Sequence, residues 1–149
     1  MEELGLSPEE LKILKEEVLK KKREELAWSF KLEIYQKIDV IGHGLKLALE
    51  PGVVKVDSFA FGMWDFYFRQ YSGLPSVGTL SENKPLTRKI RRIFKEVFDI
   101  RELEKIWDRI EKADLPELRE IWEKEFPQWE KKLEEFRKRA EELIREAKI

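Results

Sequence analysis

"LKLALEPGVVKV", residues 45–56, is the stretch on which the fold class turns. Leu45, Leu47 and Leu49 alternate with other residues. Pro51-Gly52 is a turn signal, and Val53, Val54 and Val56 are β-branched, so the stretch carries the marks of a short hairpin. A helix that ends at Glu50 and is stopped by Pro51-Gly52 accounts for the same residues. An isolated hairpin is marginal in water without a sheet to join. The reading is therefore all-α, a single-domain helical bundle over residues 1–149, with the hairpin as its alternative.

Upstream, Ser7-Pro8-Glu9-Glu10 has the order N-cap, N1 proline and N3 glutamate, with acids at the positive helix end. Leu11, Leu14 and Val18 follow at helical steps. After the polar residues 20–25 the apolar stripe resumes at Leu26, Phe30, Ile34, Ile38 and Ile41. This predicts one long helix over about residues 8–41. Gly42-His43-Gly44 should weaken it, since two interior glycines cost about 2 kcal/mol against alanine.

Downstream, Asp57-Ser58 caps a segment that is apolar nearly all round: Phe59, Phe61, Met63, Trp64, Phe66, Tyr67 and Phe68. A helix of that kind lies in the core or at an interface. Gly73 closes it, and residues 74–83 read as the longest loop. From Pro85 the chain is helical to its end. Leu86, Ile90, Ile93 and Val97 form one stripe, and Leu103, Ile106, Trp107 and Ile110 the next. Asp114 caps a further segment, which Pro127 should kink or restart. Trp129, Leu133, Phe136, Ala140, Leu143 and Ala147 alternate steps of four and three, the a/d spacing of a heptad. The run is short, so an antiparallel helix of the same chain is the expected partner, and the first helix has the length for it. A homodimer through this seam is the alternative.

Composition narrows the functional classes. Charged residues reach 41% of the chain, but 30 basic side chains face 31 acidic ones. A globally basic nucleic-acid binder is thus excluded, and any anion site must be local. No cysteine is present, which removes thiolate chemistry and sulfur-ligated zinc, and one histidine rules out multi-histidine metal centres. No metal or cofactor is expected. The first ten residues show no basic-then-apolar pattern and no apolar run approaches a membrane span, so a cytoplasmic, non-membrane protein is expected. Abundant Lys, Glu and Arg with one Asn and three Gln is a hyperthermophile-like, thermostable composition. An idealised helical sequence shares it.

The local exception to charge balance is "SENKPLTRKIRRIFKEVF", residues 81–98, where Lys84, Arg88, Lys89, Arg91, Arg92 and Lys95 are all basic. On a helix, Arg88, Arg91, Arg92 and Lys95 stand at i, i+3, i+4 and i+7 and share one face. Arginine forks match phosphate oxygens in pairs. The expectation is a non-enzymatic protein that holds an anionic partner here, either an RNA or DNA backbone or an acidic protein surface. The plainer reading is a solvated face neutralised by Glu96, Glu102, Glu104 or Asp108. A helix-turn-helix is discounted, because the following helix carries Glu102, Glu104, Asp108 and Glu111 and would repel DNA.

Two other readings remain. His43 and Asp65 are the candidates for acid–base work in a pocket completed by Tyr67 and Arg69, which makes a small enzyme or ligand binder the runner-up. Trp64, Tyr67, Arg69 and Tyr71 are alternatively a stacking or pocket surface, or simply core. A self-assembling helical adaptor is the third reading.

Overall fold

Ser7 opens the first helix. Its backbone is extended, and its Oγ accepts from the Glu10 amide at 3.2 Å, with Pro8 in the first helical position. The computed structural model describes residues 5–50 and 57–147. Its elements are α1 (Pro8–Phe30), a π-helical turn (Lys31–Tyr35), α2 (Gln36–Leu49), α3 (Ser58–Ser72), α4 (Val77–Glu82), α5 (Lys84–Val97), α6 (Ile100–Lys112) and α7 (Leu115–Ala147). The protein is an all-α helical bundle, with no strand among the described residues.

The helix that begins at Pro8 does not stop near residue 41. It runs through the π turn to Leu49, so Leu45, Leu47 and Leu49 are helical and not half of a hairpin. Residues 51–56, the rest of that alternative, lie outside the described residues. Two physical reasons explain the continuation. The stripe Leu26, Phe30, Ile34, Ile38 takes three successive steps of four, each overshooting a 3.6-residue turn by about 40°. The wide turn absorbs that drift, with the Gln36 amide donating to the Lys31 carbonyl. The glycines, in turn, are close-approach sites. A Cβ on Gly44 would overlap the Phe68 ring, and one on Gly42 would lie 3.4 Å from Phe94. At Gly44 the packing so permitted offsets the low helix propensity of glycine.

One contiguous core follows from this central helix. Its Phe30, Ile34, Ile38, Ile41, Leu45 and Ala48 are buried. α3 covers α2 on the Gly44 side, α5 packs on the Gly42 side, and α4 packs on α2 as well. α6 and the first half of α7 pack along α1 and the π turn. Tyr35 meets Trp107 with centroids 6.3 Å apart, Phe30 meets Phe126 at 6.4 Å, and the Arg23 Nε donates to the Ala113 carbonyl. The heptad-like seam of α7 does not take helix 1 as its main partner. It packs on α5, through Phe94–Phe136 and a Phe98–Trp129 stack. α7 is continuous through Pro127, where a kink or a restart was expected, so the helix does not restart there. Leu118 and Ile121 before it, and Trp129 and Leu133 after it, are all buried, so both halves are held by tertiary packing.

The region expected to be one long loop contains α4. Ser76 caps it, accepting from the Thr79 amide at 3.2 Å, and the Val77 amide donates to the Asp65 carboxylate at 3.0 Å. The early half of α1 is the opposite case. Among the described residues nothing before Ala27 is buried, and Ile13, Leu14 and Val18 are exposed.

Candidate anion-binding site

α5 is the most sharply two-faced stretch of the middle of the chain. Asn83 caps it, accepting from the Leu86 amide at 3.2 Å. Leu86, Ile90, Ile93, Phe94 and Val97 are buried on one side, and Thr87 is buried with its hydroxyl donating toward the Leu80 carbonyl at 2.7 Å. That buried side fixes the rotation of the helix. Lys84, Arg88, Lys89, Arg92 and Lys95 consequently stand exposed and Arg91 half-buried.

Two of the acids that sequence reasoning set against this face pair elsewhere, and none of the four pairs with it. Glu96 pairs with Arg139 at 2.6 Å, and Glu102 with Lys132 at 3.6 Å. Asp99 caps α6, accepting from the Arg101 amide at 2.9 Å. Glu104 and Asp108 line a separate hollow with Lys31, Tyr35 and Trp107. Among the described residues, none of the six basic side chains has a carboxylate within 4.0 Å.

Spacing divides the six. Lys84, Arg88, Arg91 and Lys95 follow steps of four, three and four along one edge of α5. Arg91 and Lys95 also form one wall of a pocket of about 220 Å³ between α5 and α2. Lys89 lies on the other side of α5, in a hollow with Leu143 and Glu146 of α7.

α2 supplies the opposite wall of the pocket with Asp39, Gly42, His43 and Lys46, and its floor is Ile38, Phe94, Phe98 and Leu103. Tyr35, from the π turn, and Ile100, from the start of α6, close the ends. Asp39, His43 and Lys46 are i, i+4 and i+7, so the uninterrupted helix alone puts them on one edge. The His43 Nδ1 lies 2.9 Å from the Asp39 carbonyl oxygen and 3.2 Å from its Oδ1. His43 and Asp39 side chains are 62% and 55% exposed, so water screens the couple and its strength is small. Opposite that one carboxylate, Lys46, Arg91 and Lys95 leave the rim cationic.

The carboxylate within reach of His43 is thus Asp39, where sequence reasoning had chosen Asp65. Asp65, Tyr67 and Arg69 do not line this pocket. Asp65 is buried, and its carboxylate accepts from the Val77 amide while lying 3.4 Å from the Arg69 Nε. It is a tertiary cap for α4. Trp64 is half-buried and stacks on Phe68, and Tyr67 stacks on Tyr71 with centroids 5.7 Å apart. Burial, then the Tyr67 and Glu33 side chains, push the Tyr71 phenol above its ordinary range, so it stays neutral. Arg137 holds this end of α3 by donating to the Tyr71 and Gln70 carbonyls. None of Trp64, Tyr67 and Tyr71 lines the pocket beside Arg91, so the stacking candidates and the basic face are separate features. Phe59, Met63, Phe66 and Tyr67 leave the outer face of α3 exposed, so of the two expected places for this helix, core or interface, a position central in the core is the one the structure overturns.

Sequence reasoning passed over Tyr35, Asp39, Gly42, Lys46, Phe94 and Phe98. The available signal was the Asp39–His43–Lys46 spacing, masked by ending the helix at residue 41. No group of three or more His, Asp or Glu side chains suited to a metal ion occurs among the described residues, and no helix there is long and apolar enough to cross a membrane. No protein-family model matches the chain, and neither a curated protein nor a solved structure is significantly similar to it.

Proposed function

We propose that this is a non-enzymatic binding protein whose α5 edge holds the backbone of a single-stranded nucleic acid. The observation that carries the reading is the unpaired line Lys84, Arg88, Arg91, Lys95, with Glu96 paired to Arg139, Glu102 to Lys132 and Asp99 spent as a cap. None of the six basic side chains has a carboxylate within 4.0 Å among the described residues. From Lys84 to Lys95 the line spans about 16 Å at 1.5 Å per residue. That length takes several successive phosphates, and an extended strand lies along a straight edge without the groove geometry a duplex demands. Three of the six basic side chains are arginines, whose planar forks can pair bidentately with phosphate oxygens.

The test is a titration of labelled oligothymidylate and oligouridylate at several salt concentrations. Four phosphate contacts on a single strand give a log–log salt slope of about −3. The variant K84E/R88E/R92E leaves the pocket walls untouched and removes two members of the line. Its slope should shrink by about 1.4, with a matching loss of affinity. Equal binding by the variant overturns the reading. So does polyglutamate competing as well as the strand, which would assign the face to an acidic protein.

A further inference from the structure

We infer that the pocket between α2 and α5 takes one unstacked base of the bound strand. The inference rests on the backbone reading above and adds to it the part of the ligand that the basic line does not touch.

The pocket has two chemistries. Its floor, Ile38, Phe94, Phe98 and Leu103, offers aliphatic and aromatic carbon and no charged group. Its rim offers Lys46, Arg91 and Lys95 against the single carboxylate of Asp39, which already faces His43. A simple anion gains nothing from the floor, and a neutral apolar molecule gains nothing from the rim. A flat, largely apolar group that carries its own phosphate uses both. The volume, about 220 Å³, suits one such group and not a stack of them.

Position ties the pocket to the line. Arg91 and Lys95 belong to both, so a phosphate held at that end of α5 stands at the pocket rim. The base attached to it has the apolar floor within reach. A base in a duplex is paired and stacked, and extracting it costs a few kcal/mol. The pocket therefore selects single strands. His43 has Nδ1 turned to Asp39, which leaves Nε2 to meet the edge of an entering base. Gly42 keeps the α2 wall low, since a Cβ there would come within 3.4 Å of the Phe94 ring.

The experiment compares an oligothymidylate with the same strand carrying abasic sites, both titrated against the full chain. Phosphate number is equal, so only the bases differ. The abasic strand is expected to bind about tenfold more weakly, as one lost stacking contact requires, with an unchanged salt slope. In parallel, thymidine monophosphate is titrated by amide NMR. Saturable shifts at Gly42, His43 and Phe94 are expected, and inorganic phosphate at the same concentration should not reproduce them. Equal affinity for both strands, with K84E/R88E/R92E weakening both, overturns the pocket inference and leaves the backbone reading intact. Equal shifts from inorganic phosphate also overturn it, since the pocket would then be a bare anion site. Binding of neither strand removes both readings together.

Discussion

The two sides of α2 meet their neighbours in opposite ways. On one side Gly44 lets the fully buried Phe68 ring lie directly on the helix backbone, and the joint is sealed. On the other side Gly42 stands opposite Phe94, and the space around them stays open as the pocket. The two glycines are two positions apart in the sequence, separated by His43. A glycine in a helix thus removes a side chain for different ends: at Gly44 to bring two elements into contact, at Gly42 to keep a concavity between them. The sealed joint is where stability should reside, and the open one is where a ligand can gain contact.

The largest effect that could break this comparison is at the sealed joint. In Gly44→Ala the new methyl overlaps ring carbons of Phe68, which has no solvent into which to retreat. The cost should reach the upper end of overpacking, about 3 kcal/mol, against a gain of about 1 kcal/mol from helix propensity. Urea denaturation should show a lower midpoint with little change in slope. An unchanged midpoint would mean that α3 shifts freely on α2, and the distinction between the two sides would vanish.

A smaller loss is expected at the tertiary cap beside that joint. Asp65→Ala removes the acceptor of the Val77 amide and leaves Arg69 without its carboxylate. A buried hydrogen bond to a charged group supports a cost of about 2 kcal/mol. Asp65→Asn keeps an acceptor in place and should recover part of it. Thermal melting of both variants checks the order, with about 2–4 °C expected per kcal/mol for a chain of this size. If Asn is as damaging as Ala, charge rather than acceptor geometry holds α4 in place. If Ala were instead to abolish strand binding while the fold stayed intact, Asp65 would belong to the site after all.

How far these features can be read in the sequence depends on whether their cause is local. The Ser7, Asp57 and Asp99 caps are local, and so is the two-faced pattern of α5, whose buried and exposed residues follow from spacing alone. Other features have distant causes. α4 carries Gly78 within six residues and no amphipathic repeat, and an acceptor twelve residues away supports its start. The continuation of α2 past Gly42 depends on Phe68 and Phe94, which no window around residue 42 contains. The pocket was only half legible for the same reason. Its α5 wall was plain from the run of basic residues. Its α2 wall disappeared once the helix was ended early, and His43 was then matched to a carboxylate that caps another helix. The choice of α5 as the partner of the α7 seam was equally hidden, because a heptad pattern names the face and not the helix that covers it.

The smallest expected effect is the most discriminating. Gly42→Ala places a methyl 3.4 Å from two carbons of the Phe94 ring, an ordinary van der Waals contact. Nothing must move, and the helix gains the propensity of alanine. Stability should therefore rise by about 1 kcal/mol, opposite in sign to the same substitution at Gly44. The pair of variants is its own control, because propensity, chemistry and helix are shared and only the neighbour differs. A fall in stability at position 42 would show that the Phe94 ring is as firmly held as Phe68. The pocket would then be a rigid cavity whose shape is set before any ligand arrives. A rise would leave room on this side of α2, where the proposed base must enter.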